Sequence, residues 1–400
     1  MPDALRAAVH DVLGRGAGST EQEVTASDGA IGDEFGISVA VDGDTALIGA
    51  AYENDGQGAA YVFAQSNGTW SETQKLVASD GAANDWFGQS VALDGDTAVI
   101  GASQYLNFGN GAAYVFTRTG ASWSESQKLT ADDGAGRDQL GIAVAVDGTQ
   151  VLVGAYGAAF YQGAVYAFTE SGGAWTQTQK LVADDASQNA DFGVSLALDG
   201  TTALIGAYGD ASYQGAAYIF GAAGGTWSQS QKLIASDGAA NAHFGISVAL
   251  QGSRVLVGAE GATVGANSHQ GEAYAFSNAG GTWTETQQLV ASNGVAWDYF
   301  GRSVALDGAN AAVGAYGANA QQGAAYLFAS VGDGPWSETQ ALTASDGAQG
   351  DQYGIWVAVS GATLLVGADG ADSFQGAAYF YALPASDVIF ADGFDNAGRN

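Results

Sequence analysis

Three histidines, His10, His243 and His269, are the side chains of this chain that titrate near neutrality unaided. Two of them precede an unusual run, Trp297-Asp298-Tyr299, with Arg302 shortly after. Together these residues offer flat rings for stacking, an acid that accepts from hydroxyls, and cations that can neutralise a carboxylate. A lyase or hydrolase of acidic sugars would need such cations and an acid or base of matched pKa. The equipment for that is thin. Only Arg137 and Arg302 add an arginine to the loops, and no Ser-His-Asp spacing, zinc motif or phosphate loop is present. Paired carboxylates stay open, because acids are abundant. On this inventory binding ranks above catalysis.

The acid balance narrows the partners. Eleven basic residues face 42 acidic ones, a formal net charge of −31. Such a field repels phosphate backbones and anionic lipid, so nucleic acid and membrane surfaces are excluded as expected partners. No apolar run approaches the about 18 residues of a spanning helix. With no cysteine, a disulfide framework and thiolate metal sites are ruled out. The N-terminal stretch lacks the apolar core of a secretory signal. Leu5, Val9, Val12 and Leu13 offer a weak face for a short helix.

What positions the candidate residues is a repeat. Phe-Gly or a near variant recurs at Phe35, Phe87, Leu140, Phe192, Phe244, Phe300 and Tyr353, at spacings of 52, 53, 52, 52, 56 and 53 residues. Each unit holds four short apolar pieces, as in FGQSVAL, TAVIGA, GAAYVF and WSESQKLTA. They are β-branched or aromatic and bounded by Gly, Asp, Asn or Ser, which is the grammar of strands. Asp-Gly joins the first two pieces in most units and suits a two-residue hairpin. Four antiparallel strands per unit of about 50 residues fit a propeller blade. Six fourth strands follow a Trp, at 70, 123, 175, 227, 283 and 336, but the seventh unit ends after its third. The missing strand opens the chain in STEQEVTASDG, where Gln22 aligns with Gln74, Val24 with Leu76 and Asp28 with Asp80, and Gly18 stands in the Trp position. The sequence therefore predicts an all-β, seven-bladed propeller closed by its N-terminal strand. The divisions are an N-terminal extension (1–18), the propeller (19–383) and a C-terminal tail (384–400).

The pattern D-x-F-G-x-S-V-A, G-D-T-A, G-A-A-Y-V-F and W-x-x-x-Q-K-L-x-A-S-D-G resembles bacterial FG-GAP repeat proteins, which are similar to the seven-bladed propeller of integrin α subunits. The resemblance implies the fold, and it hosts binding proteins and enzymes alike. Integrin-like repeats carry a calcium loop between the first two strands. Here a tight Asp-Gly turn stands in its place, too short for six to eight oxygen ligands. No cofactor is therefore expected, and Asp42, Asp94 and their equivalents are read as turn formers. Ca²⁺ stays an alternative only through the acidic loops. The tail VIFADGFDNAGRN resembles short tails of exported bacterial proteins; the alternative is a tail packing Ile389, Phe390 and Phe394 onto the propeller.

Within a propeller, the 2–3 and 4–1 links share one face. Their repeated features, an amide before the last Gly of each 2–3 link and an acid two before most Phe-Gly pairs, serve the repeat. The Trp of the fourth strands is likewise read as packing between outer strands. Departures from the repeat point to function. The 2–3 link of unit five, GAEGATVGANSHQG, is longer than most and brings His269; the link before it brings His243; the next brings Trp297, Asp298 and Tyr299; and Arg302 replaces an inner-strand Ile or Val. These six are the candidate ligand-binding residues. The expected function is a non-catalytic binding or adhesion module, exported or displayed on a bacterial surface, with a glycan or protein ligand. A polysaccharide lyase or hydrolase on the unit 5–6 face is one alternative, and a structural or assembly protein is the other. Oligomeric state stays open.

Overall fold

The computed structural model describes residues 21–332 and 334–383. His10, the apolar positions at Leu5, Val9, Val12 and Leu13, Gly18, and the tail residues Ile389, Phe390 and Phe394 lie outside the described residues. Seven antiparallel sheets of four strands form, six of them from consecutive strands. Blades 1 to 6 span 38–76, 87–129, 144–181, 196–233, 247–289 and 303–342. Blade 7 combines Val357–Ser360, Thr363–Ala368 and Ala377–Ala382 with the N-terminal strand Gln22–Val24. That strand pairs antiparallel to the third, Gln22 opposite Phe380 and Val24 opposite Ala378.

Burial follows strand order, as the side-chain period of two requires. In blade 4 the second strand, Thr202–Ala207, is buried on both faces. The fourth, Thr226–Leu233, alternates, with Trp227 and Leu233 buried between exposed positions. The first strands touch one another in a closed cycle, so they line the axis. In six blades the aromatic of the Phe-Gly pair packs edge-on against the tyrosine of the third strand; Phe192 and Tyr218 sit 5.5 Å apart.

Blades meet through backbone, and two glycines make this feasible. The Phe-Gly glycine of blade 5, Gly245, has φ +90°, and an added Cβ would lie 2.2 Å from the Ala216 carbonyl. At Gly206, on the second strand of blade 4, a Cβ would lie 2.0 Å from the Gly245 carbonyl. Only a residue without a side chain allows either approach.

Most repeated polar residues are joints. The Asp-Gly acid of each blade accepts the turn Gly N–H of the next, as from Gly95 to Asp42 at 2.8 Å and from Gly148 to Asp94 at 2.6 Å. Gln251 does the same for Gly308, and Ser360 for Gly43. On the outer strands a glutamine clasps the next blade's Trp backbone from both sides. Gln74 donates to Trp123 O at 2.7 Å and accepts from Trp123 N at 2.8 Å, and Gln22 holds Trp70 in the same way across the ring closure. These tryptophans are buried; Trp70 stacks on Phe380 at 4.2 Å. The acid of each A-S-D-G segment accepts from the third-strand tyrosine, as Asp28 does from Tyr61 at 2.8 Å, with Asn293 serving Tyr326. The amides before the last Gly of the 2–3 links, such as Gln57, Gln162 and Gln322, donate to a carbonyl of the following 4–1 link.

One feature of the links is not legible in the strand pattern. Five 2–3 links contain a single tight turn, at Glu53–Gly56, Ala158–Tyr161, Asp210–Tyr213, Ala318–Gln321 and Ala371–Phe374. Each holds three successive residues at positive φ, for example Ala211 at 49°, Ser212 at 63° and Tyr213 at 62°. This turn pushes its apolar tip outward, and Phe160 is 81% exposed there.

Candidate functional site

The residue preceding each Phe-Gly pair sits at the inner end of a 4–1 link. It is Glu34, Trp86, Gln139, Asp191, His243, Tyr299 or Gln352, and all seven have φ between 56° and 60°. In six of the links its N–H, and in all seven that of the next residue, donates back to the preceding 2–3 link, as from His243 N to Tyr213 O at 2.9 Å. These joints hold a strained conformation that L residues seldom adopt. A second variable position follows the second strand: Tyr156, Tyr208, Glu260, Tyr316 and Asp369 in blades 3 to 7.

Blade 5's long link forms a small bridge, Val264 and Asn267 exchanging backbone hydrogen bonds at 3.0 and 3.1 Å. His269 follows, its ring stacked on Trp297 at 4.4 Å and edge-on to Tyr299 at 5.8 Å. Tyr299 stacks on Tyr316 at 4.9 Å. Next to this aromatic group lies a charged one. His243 Nδ1 is 3.6 Å from Glu260 Oε1, and Arg302 Nε is 3.7 Å from Glu260 Oε2. The Arg302 guanidinium lies 5.8 Å from the Trp356 ring. His243 also meets Tyr208 and Tyr213 edge-on.

Of the six sequence candidates the structure thus gathers His243, His269, Trp297, Tyr299 and Arg302 around Glu260. The carboxylate of Asp298 is engaged elsewhere. Its Oδ2 accepts from Val295 N at 2.7 Å, the bond that Asp33, Asp85, Asp138 and Asp351 make in their own links. The residue still lines a cleft of about 480 Å³ with Asn293, Trp297, Tyr299, Gln321 and Tyr326. The candidate list missed Glu260 as a site residue, and with it Asp369, Glu34, Tyr316 and Trp356. Comparison of each repeat position across all seven units would have exposed them, since Glu260 and Asp369 stand where three other blades hold Tyr.

Electrostatics separate these acids. Burial alone would raise the Glu260 carboxyl, but Arg302 beside it, with His243 and His269, outweighs burial and holds it below its ordinary value. Burial pushes Asp369 up to about 6 against the pull of Arg302. Burial, reinforced by Asp369, pushes Glu34 up to about 7. Asp369 also acts on Tyr52 and Tyr316, and Glu260 on Tyr299 and Tyr316. The charged group therefore runs across the mouth of the axis from blade 5 to blade 1. Among the described residues no cluster of three or more His, Cys, Asp or Glu side chains is placed to hold a metal ion, and no helix is long and apolar enough to cross a membrane.

A second cleft, of about 410 Å³, lies by blade 7 among Glu23, Asp346, Asp351, Asp372 and Tyr379. In blades 1 to 4 a lysine of the outer strand bridges here to the link acid, at 2.6–2.7 Å. Glu23 occupies the lysine position in blade 7. Burial, then Asp346, raise its carboxyl from 4.5 to about 7. A carboxyl raised on folding favours the fold below about pH 4.5 and loses that advantage as pH climbs through about 7. Glu23→Lys should therefore stabilise the protein most at pH 8 and least at pH 4. Solvent screening keeps the gain to about 1 kcal/mol. Thermal melts across that range test this, and an equal effect at both pH values would refute it.

A search of curated proteins gives no match. The family model described as FG-GAP repeat matches seven times, at residues 19–63, 70–116, 123–168, 175–220, 227–276, 283–328 and 336–381. With seven matched units in one closed ring, the chain belongs to the FG-GAP repeat family.

Proposed function

We propose that this chain is a non-catalytic binding module of adhesion type, exported or displayed on a bacterial surface, that takes a glycan or protein ligand on the face of its 2–3 and 4–1 links. One observation carries the reading. Among the described residues, every exposed large hydrophobic side chain except Val331 lies in those links. Phe108, Phe160, Trp297 and Phe374 are 62%, 81%, 55% and 46% exposed. A surface that gathers aromatic side chains on one face, on loops braced by a rigid scaffold, has the make-up of an interaction site. The family supports the class of function: FG-GAP domains generally bind protein ligands, and their repeats are typical of extracellular proteins.

The test is a glycan array and a protein array, each with and without Ca²⁺, probed with the wild type and with a Phe160→Ser, Trp297→Ser, Phe374→Ser triple variant. These exposed positions carry no core packing, so the variant should melt as the wild type does. Bound spots are expected to lose at least about tenfold in affinity. Equal binding by both proteins, or no binding at all, would overturn the reading. Release of reducing sugar from any bound glycan would shift it to an enzyme.

A further inference from the structure

Four departures from the repeat meet at the axial mouth. Arg302 follows Phe300-Gly301 where the other blades place Ile37, Gln89, Ile142, Val194, Ile246 and Ile355. Trp356 replaces a serine that in five blades donates to the next Phe-Gly carbonyl, as from Ser195 to Gly245 O at 2.9 Å and from Ser247 to Gly301 O at 2.9 Å. Blade 7 thus gives up a joint in order to place an indole beside Arg302. Glu260 and Asp369 take the position of Tyr156, Tyr208 and Tyr316. Each change forfeits packing or bonding that the repeat would supply, and all four fall in three consecutive blades.

Part of their hydrogen-bonding capacity is unused. Asp369 is 6% exposed and its Oδ1 has no partner among the described residues; neither has Glu260 Oε2. Arg302 carries five N–H donors in a planar fork, yet among the described residues its guanidinium makes no hydrogen bond. Its nearest carboxylate oxygen stands at 3.7 Å, beyond hydrogen-bonding length. Donors and acceptors thus lie near one another without fully satisfying each other, and the native-state expectation is that buried polar groups are paired. An anionic ligand would meet Glu260 and Asp369. A cationic one would meet Arg302. A neutral group whose hydroxyls both donate and accept satisfies all three, and flat rings are at hand in Trp356, 5.8 Å from the Arg302 guanidinium, and in the Tyr299–Tyr316 stack.

We propose that the axial mouth of blades 5 to 7 is a subsite for one neutral sugar ring, its hydroxyls donating to Glu260 and Asp369 and accepting from Arg302, with Trp356 beside its apolar face. This rests on reading the link face as a ligand-binding face and names the ligand class at its centre. The test uses variants that restore the repeat. Arg302→Ile and Trp356→Ser return residues found in other blades, so both should fold, each melting somewhat lower because Arg302→Ile leaves the buried Glu260 carboxylate without its main cation and Trp356→Ser removes packing on the blade 1 core. The full chain is titrated calorimetrically with D-glucose, D-galactose, D-mannose and N-acetyl-D-glucosamine, with D-glucuronate and L-lysine as charged comparators. At least one neutral sugar should bind, at least about tenfold more weakly to Arg302→Ile and to Asp369→Ala, and should perturb a tryptophan fluorescence signal that Trp356→Ser lacks. Binding of a charged comparator in preference, unchanged binding by Arg302→Ile, or no neutral sugar bound would each overturn the proposal. Array ligands bound equally by wild type and Arg302→Ile, but lost from the Phe160, Trp297, Phe374 triple variant, would leave the loop-face reading standing and remove the sugar subsite alone.

Discussion

Removal of residues 1–28 should lower the melting temperature by more than any single substitution and turn the protein toward aggregation. The lost segment ties blade 7 to blade 1 and to the link from blade 6 at several points. Gln22 clasps the Trp70 backbone. Glu21 accepts from Ser345 and Tyr381. Ser27 donates to Glu72, and Asp28 accepts from both Tyr61 and Lys75. Without them the apolar strand Ala377–Ala382 becomes an unpaired edge, a template for pairing with another chain. The deficit would be a large part of the roughly 5–15 kcal/mol that holds a domain folded. Scanning calorimetry and light scattering on the truncated chain, beside one lacking only residues 1–16, give the comparison. An unchanged melt for the chain starting at residue 29 would mean that the ring closes by other contacts.

The second large effect is expected from Gly206→Ala. One methyl group would sit 2.0 Å from the Gly245 carbonyl, a backbone atom that no rotamer change can move aside. Blades 4 and 5 must part to admit it, at a cost of about 3 kcal/mol for overpacking a tight interior. Gly221, on the third strand of the same blade, has no atom within 4 Å of its would-be Cβ and no positive φ. Gly221→Ala should therefore be neutral, or stabilising by about 0.5 kcal/mol through the unfolded chain. Urea denaturation of both variants makes the comparison internal to one blade. Equal midpoints would show that the joint yields more readily than its geometry implies.

The architecture was readable because it is written seven times. A lone Phe-Gly or Asp-Gly says little; at a period near 52 residues, each fixes a strand start or a hairpin. The opening strand was found by the same means, Gln22 and Asp28 being recognisable as copies of Gln74 and Asp80. The site was legible where it breaks length or chemistry along the chain, hence the histidines, Trp297, Tyr299 and Arg302. Asp298 stands apart from these because its repeated position commits one carboxylate oxygen to the Val295 N–H. Glu260, Asp369 and Trp356 escaped because an acid or a Trp is unremarked in a chain rich in both. Their meaning comes from closure of the ring, which brings blades 5, 7 and 1 to one axis across more than 200 residues of sequence. The left-handed turns of the 2–3 links escaped for another reason: Ala211 and Ser212 carry no local preference for that conformation, so joints on either side impose it.

The Asp-Gly hydrogen bonds run one way round the molecule. Every blade presents its acid as a socket and its turn glycine as a plug, and the pieces are nearly interchangeable: Asp in most blades, Gln251 in blade 5, Ser360 in blade 7. Such a coupling carries no count. It would join six wedges or eight as readily as seven, and it forbids only a blade inserted back to front. The number seven must come from the angle at which one blade leans on the next, set where bare glycines bring backbone against backbone. Duplicating or deleting one unit leaves every plug with a socket and alters only that angle, which makes blade number the property of this ring most open to change.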